Sequence, residues 1–352
     1  MQHAERRNRL RELLQRKNLD ALLVSAASSR YYLSGFELHD VQLNESAGFL
    51  VVTRQGRDFL CTDPRYEEAA QRLWQGDDIV VYREGPAKAA AKLLKSCGTR
   101  LGFDPDAVSF AFGAELAREV SLLPCRGLVE RLRRVKDEEE IACLRRSFAL
   151  NHALLEWIPE QLEEGMTEAE ASWLVERYFR EHGASELAFP SIVAFGPNGA
   201  LPHAVPGAAK LAPEMPVLFD VGCRVDGYCS DQTRSFWFGE KPTPEFARAR
   251  ALVAEAQNAA IQIIAPGLPM CDAYHAASAV FERAGCARHF THSLGHGVGL
   301  DTHEEPSLSP RKTAPLEAGM TVTVEPGLYY PGLFGIRLEY TVLVGRQGAE
   351  VL

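Results

Sequence analysis

The stretch Leu218–Phe236, LFDVGCRVDGYCSDQTRSF, carries two aspartates in the arms of what reads as a β-hairpin. An apolar run, Pro216–Phe219, leads to a turn at Val225-Asp226-Gly227, and a β-branched and aromatic run continues to Trp237. A two-residue loop at Val225-Asp226 makes Asp220 and Asp231 direct cross-strand neighbours, both side chains on one face. Carboxylates that close repel unless a proton or a cation lies between them. The ordinary alternative has one aspartate in the turn's hydrogen bonds and the other in solvent. The rest of the chain decides between the two.

At 352 residues there is length for two domains, each with its own core. A net charge of −9 argues against a nucleic-acid partner, which usually meets a basic face. The one basic cluster, Arg131, Arg133, Arg134 and Lys136, reads as the solvated start of a helix at a domain junction. The segment Glu5–Lys17 is charge-laced, an amphipathic helix rather than the apolar core of a signal peptide. No apolar stretch approaches membrane-spanning length, and the eight cysteines are scattered without CxxC pairs. Cytoplasmic localisation, with no membrane contact, is the expectation. Cys223 and Cys229 flank the central turn, but neither has a second thiol or a histidine at finger spacing, which argues against a thiolate metal site.

Residues 1–130 alternate helix-like and strand-like pieces and are expected to form an α/β domain. Strands are predicted at Ala21–Val24, Gly48–Thr53, Asp58–Cys61, Asp78–Tyr82 and Leu101–Phe103, with helices opening at Pro64 (capped by Asp63) and after Pro86. This half has no GxGxxG or phosphate-binding loop. Its polar segment Glu37–Glu45, with His39 and Asp40, reads as an exposed surface loop.

Residues 131–352 change texture and repeat. Ile141, Leu144, Phe148 and Leu155 fall at helical spacing behind an acidic start, and Thr167–Glu170 is a capping box for a second helix that Gly183 ends. The Asp220/Asp231 hairpin follows. Then Thr243-Pro244 opens a helix to about Ala265, Asp272 caps another that Gly285 stops, and a final hairpin pairs Met320–Glu325 with Gly335–Val344. A three-residue loop at Pro331–Leu333 sets Glu325 opposite Glu339. Chance explains one facing acid pair; two in equivalent places call for a shared cause.

Between the hairpins lies HSLGHGVGLDTHE, residues 292–304, and four of the ten histidines fall at 289, 292, 296 and 303. His292 and His296 have the i, i+4 spacing of a helical zinc pair, but the glycines at 295, 297 and 299 disfavour a helix. Such glycines let the backbone pass close to something, here a metal cluster by expectation. Four carboxylates summing to −4 match two divalent cations. Oxygen-rich ligation with an imidazole and no thiolate favours manganese, cobalt, iron or zinc over copper. Two such ions sharing a bridging water imply hydrolysis.

DVGCRVDGYCSDQTR, HSLGHGVGLDTHEEP, VTVEPGLYYPG and GIRLE resemble the metal-site motifs of the pita-bread metallopeptidases, in the branch of Xaa-Pro dipeptidase (prolidase) and aminopeptidase P. The resemblance spans the chain and implies an N-terminal creatinase-like α/β domain, 1–130, and an α+β pita-bread catalytic domain, 131–352, with an internal pseudo-twofold repeat. It implies Asp220, Asp231, His296, Glu325 and Glu339 as metal ligands, with Asp231 and Glu339 bridging and Glu325 also a proton shuttle. His203 and His303 match histidines that hold substrate and stabilise the tetrahedral oxyanion. Arg337 has two readings: a brace for a metal-binding carboxylate, or the receptor for a dipeptide's C-terminal carboxylate. The implied activity is cleavage of Xaa-Pro bonds by a metal-bridging hydroxide, with dipeptides preferred and longer Xaa-Pro peptides as the alternative. A homodimer is implied too, with the Glu37–Glu45 loop at the partner's site mouth. Tyr340 departs from the pattern, since the family usually has aspartate after the last glutamate; on a strand Tyr340 points away from Glu339. Metal-free creatine amidinohydrolases and non-catalytic pita-bread binding proteins share the fold, but lack most of the five ligands kept here.

Overall fold

The computed structural model describes residues 2–40, 42 and 45–352. The chain divides into two compact units, Met1–Arg133 and Arg134–Leu352.

The first unit is a six-stranded mixed sheet in the order Asp78–Val81, Phe59–Thr62, Gly48–Thr53, Ala21–Val24, Leu101–Phe103, Leu122–Pro124. The apolar run Ala21–Val24 is buried on both faces because it lies centrally, antiparallel to Gly48–Thr53 and parallel to Leu101–Phe103. Helix Pro86–Cys97 begins with proline and buries Ala87, Ala90, Ala91 and Leu94, one stripe at helical spacing, against that sheet's core. Asp63 caps as expected, its carboxylate accepting from the Arg65 amide. The sequence reading missed helices Ala27–Ser34 and Phe110–Ala117 and strand Leu122–Pro124. These are short pieces with weak periodicity.

The Glu37–Glu45 segment is pinned at its base. Fully buried Arg30 donates to the Glu37 and Gly48 carbonyls (2.6 and 2.8 Å) and pairs with Asp40 at 3.0 Å. Residues 41, 43 and 44 lie outside the described residues, and so does the expectation for the loop's reach. The basic cluster after it is only partly solvated. Arg133 is buried and donates to the Ser28 hydroxyl at 2.7 Å. Lys136, in the second unit, is buried against Glu304 at 2.6 Å. A buried cation needs such a partner, and charge-run reasoning does not reveal it.

In the second unit the helix–helix–hairpin order occurs twice. Helices Glu138–Trp157 and Glu168–Glu181 precede strands Ile192–Phe195, Met215–Val221 and Gln232–Phe238. Helices Pro244–Ile263 and Met270–Arg283 precede a five-stranded sheet built on Thr321–Val324 and Tyr340–Val344. The repeat extends to individual hydrogen bonds. The Gly165, Leu211 and Glu168 amides donate to Leu211, Met166 and Ala209; Gly267, Leu316 and Met270 donate to Leu316, Leu268 and Ala314, at 2.8–3.0 Å throughout. Thr167 and Thr243 cap as expected, but Asp272 does not: Pro269 holds the cap position and Asp272 sits in the first turn, where the helix dipole favours an acid.

Each half's first helix carries one buried amide into its sheet. On Glu138–Trp157 the buried stripe is Leu144, Phe148, Asn151 and Leu154, and the Asn151 amide donates to the Val221 carbonyl at 2.8 Å. Gln257 donates to the Val324 and Leu338 carbonyls at 3.0 and 2.9 Å. These three carbonyls adjoin Asp220, Glu325 and Glu339, so the helices fix the strand ends where the acids stand.

Candidate metal centre

Asp226 and Gly227, with φ of 50° and 83°, form the two-residue turn of the first hairpin. The loop is therefore Asp226-Gly227 rather than Val225-Asp226, because the Asp-Gly pair supplies the two positive φ angles that a tight hairpin turn requires. The register moves accordingly: Asp220 faces Thr233, and Asp231 stands two pairs further toward the turn, on the same face. The two aspartates are diagonal neighbours, not direct ones. In the second hairpin Gly327 pairs with Arg337 and Val324 with Tyr340, so Glu325 and Glu339 face each other across the gap between these ladders. There the Pro331–Leu333 loop is as expected.

His296 lies in strand Gly295–Gly297. A side chain on Gly295 would overlap the Thr323 carbonyl, one on Gly297 the Glu305 carbonyl, and one on Gly299 the Glu304 carboxylate. The glycines thus admit neighbouring strands and Glu304, not a metal cluster directly. Tight strand packing is what delivers His296, whose backbone amide donates to the Thr323 hydroxyl at 3.0 Å. Its Nδ1 is 3.1 Å from the Gly297 carbonyl, which aims Nε2 at Glu325 (3.3 Å) and Asp231 (3.6 Å).

One donor atom each from Asp231, His296 and Glu339 lies within 4.8 Å of the others. Glu339 accepts from the Thr233 hydroxyl through Oε2 (2.7 Å), and Asp220 accepts from Arg337 through Oδ2. Their other oxygens, Glu339 Oε1 and Asp220 Oδ1, are buried without a partner among the described residues. Burial and the surrounding carboxylates push Asp231 and Glu339 well above the usual carboxylate range. Although burial opposes it, the hydrogen bond and charge of His296 hold Glu325 down at about 2. Burial likewise opposes charge on His296, yet its bond to Glu325 and the nearby carboxylates raise it to about 9. The cluster thus draws positive charge into a buried site, and its orphaned oxygens fit divalent cations.

Arg337 is buried and committed. It donates to the Thr233 hydroxyl (3.1 Å), the Pro202 carbonyl (3.3 Å), the Tyr329 hydroxyl (2.8 Å) and Asp220. Tyr340 does point away from the cluster, its ring lying 4.3 Å from the guanidinium of Arg234, which in turn donates to the Glu339 carbonyl at 2.5 Å. Cys223 and Cys229 are buried thiols raised by burial, bonded to Ser147, Ser230 and Thr302.

A cavity of about 480 Å³ opens over the cluster. Phe189, Pro190, Ile192, Val205 and Pro206 give it an apolar side; His203, His292 and His303 give it donors. The His303 ring lies 4.0 Å from that of His296, and burial, followed by the charge of His296, lowers its pKa. The Thr302 hydroxyl bonded to Ala188 and the Lys136–Glu304 pair flank and steady its loop. His292 is the residue that the sequence reading left unassigned. Its Nε2 is 3.0 Å from the Tyr329 hydroxyl, joining it to Arg337, and burial lowers its pKa. Its place among the clustered histidines was the only available signal.

The model of metallopeptidase family M24 matches residues 142–346, and that of the creatinase/prolidase N-terminal domain matches residues 6–135. An uncharacterized peptidase of Staphylococcus aureus (strain USA300) is 33% identical over 96% of both chains. The structure of an Xaa-Pro dipeptidase from Bacillus anthracis superposes with a TM-score of 0.92 at 33% identity, covering 99% of this chain and 97% of that one. An X-Pro aminopeptidase from Thermotoga maritima MSB8 gives 0.84 at 30% identity, covering 96% of each. The expected creatinase-like and pita-bread folds are therefore present, and with them the expected class of enzyme: the chain belongs to metallopeptidase family M24.

Proposed function

We propose that this enzyme hydrolyses the bond preceding proline in short peptides, with Xaa-Pro dipeptides as substrates. Two divalent cations, manganese by preference and cobalt, zinc or iron as substitutes, are held by Asp220, Asp231, His296, Glu325 and Glu339. The observation that carries this reading is the pair of buried carboxylate oxygens, Asp220 Oδ1 and Glu339 Oε1, left without protein partners beside Asp231 and His296. When bound, the cations activate water and polarise the substrate carbonyl. The protein's own groups do the rest. Glu325, steadied by the Thr323 hydroxyl at 3.0 Å, takes the proton of the attacking water and passes it to the leaving nitrogen. His203 and His303 donate to the oxygen on which charge develops. The apolar wall receives the proline ring, and Xaa-Pro bonds resist general peptidases because they lack an N–H and have a fixed φ.

Arg337 serves as the brace of Asp220 in this reading. No other arginine and no lysine lines the cavity among the described residues, so a substrate's C-terminal carboxylate meets no free guanidinium. That observation favours a second reading, an Xaa-Pro aminopeptidase that also accepts longer peptides. Eight free cysteines and the absence, among the described residues, of any helix long and apolar enough to cross a membrane suit a reducing cytoplasm. A closed homodimer is the proposed assembly.

Metal analysis after reconstitution, coupled to hydrolysis of Ala-Pro, Ala-Pro-Ala and Ala-Ala, tests the proposal. About two ions per chain, chelator-sensitive cleavage before proline and little action on Ala-Ala are expected. Chelator-indifferent activity with no bound metal would overturn it, and Ala-Pro-Ala cut as well as Ala-Pro selects the second reading.

A further inference from the structure

His203 faces the cavity, yet among the described residues no hydrogen bond holds its ring. Its position must therefore come from the backbone that carries it. That backbone is a loop that leaves strand Ile192–Phe195, makes the 3-10 turn Gly196–Ala200, passes Pro202 and His203, and returns at Gly207. Both ends of the loop close on one side chain. Glu168, 1% exposed, accepts from the Phe195 amide (2.8 Å) and the Asn198 side chain (2.9 Å) through Oε1, and from the Gly207 amide (3.1 Å) through Oε2.

The internal repeat shows what this position holds by default. Glu168 and Met270 are equivalent: each donates its amide across the same short bridge, to Ala209 and Ala314 respectively, both at 3.0 Å. Met270 is 2% exposed and packs in its half's apolar core. The same niche, filled by an apolar side chain in one half, holds in the other a carboxylate with no cationic partner among the described residues. A buried carboxylate satisfied only by loop donors is costly unless the loop requires it.

We propose that Glu168 is a positioning residue: by tying Phe195, Asn198 and Gly207 together it sets the loop that presents His203 to the substrate. The inference rests on the role of His203 given above. Glu168→Gln keeps the size of the side chain but turns one acceptor into a donor facing the Gly207 amide.

The test is a double-mutant cycle of Glu168→Gln and His203→Ala in the manganese-loaded full-length enzyme, assayed on whichever peptide the wild type cleaves, with hydrogen exchange measured over residues 196–207. Glu168→Gln should leave metal content unchanged, speed exchange across the loop, and lower kcat by about tenfold to a hundredfold. In the His203→Ala background it should lower kcat by less than about twofold, because the two act as one unit. Equal losses in both backgrounds, or unchanged exchange over 196–207, would overturn the proposal. If Glu168→Gln does not fold, Asn198→Ala removes one of the three donors and carries the same cycle. A wild type that cleaves peptides without proline defeats the Xaa-Pro reading while the cycle still decides this one; if no peptide is cleaved, the exchange measurement decides alone.

Discussion

In the candidate metal centre two of the acids, Asp220 and Glu339, divide their oxygens between the protein and the cavity. Asp220 gives Oδ2 to Arg337 and leaves Oδ1 free; Glu339 gives Oε2 to Thr233 and leaves Oε1 free. A carboxylate held on one side has a fixed direction on the other, which is how outer contacts orient metal ligands. Arg337 and the two histidines should therefore fail differently when altered. Arg337→Met releases Asp220, Tyr329 and Thr233 together, and metal affinity should fall about 10- to 100-fold. Hydrolysis of Ala-Pro and of its C-terminal amide should drop in parallel. Calorimetric metal titration and paired kinetics check this, and a KM rise confined to the free dipeptide would instead make Arg337 the carboxylate receptor. His203→Ala and His303→Ala should bind metal as the wild type does and lose about 10²-fold in kcat. Loss of metal from either folded variant would make that histidine a ligand.

Helices in the second unit do more than cover sheets. Asn151 and Gln257, one from the first helix of each half, reach into the strands and hold carbonyls beside Asp220, Glu325 and Glu339. Buried amides at these points are fold and site determinants together. Replacing Gln257 by leucine fits the apolar surroundings but strands the Val324 and Leu338 carbonyls, a loss of about 2–4 kcal/mol for two unpaired acceptors. Metal affinity should weaken as well, because those carbonyls fix the chain on either side of the acid pair. Urea unfolding of the metal-free variant separates the stability loss from the metal effect. An unchanged midpoint would show that the helix contact is dispensable.

At the scale of the molecule, every proposed ligand lies in the unit Arg134–Leu352, whose halves each have a core around one helix pair. Ions that bind only the folded state stabilise it by mass action, about 4 kcal/mol at a thousandfold excess over Kd. For a unit of this length that is a rise in Tm of roughly 10 °C. Three of the four tryptophans, Trp157, Trp173 and Trp237, belong to this unit, so intrinsic fluorescence reports mainly on it. Thermal melts with manganese and with chelator should differ by that amount, and coincident melts would mean that no ion binds the native cluster.

Much of this was written in the chain. The caps at Asp63, Thr167 and Thr243, the strand at Ala21–Val24, the Pro331–Leu333 loop and the doubled helix–helix–hairpin order depend on local chemistry, which neighbouring residues decide among themselves. The motif residues that converge on one cavity, Asp220, Asp231, His296, Glu325 and Glu339, were legible for the same reason: each sits in a short pattern with its own constraints. Tertiary structure decided the rest. The glycines around His296 meet other strands, Lys136 is buried by a partner 168 residues away, and Arg337 is claimed by groups from four segments. Glu168 looks in sequence like an ordinary helix-start acid, and only packing against a loop 27 to 39 residues further on gives it a carboxylate's work. Burial and long-range hydrogen bonds are set when distant segments meet, so no window of sequence contains them.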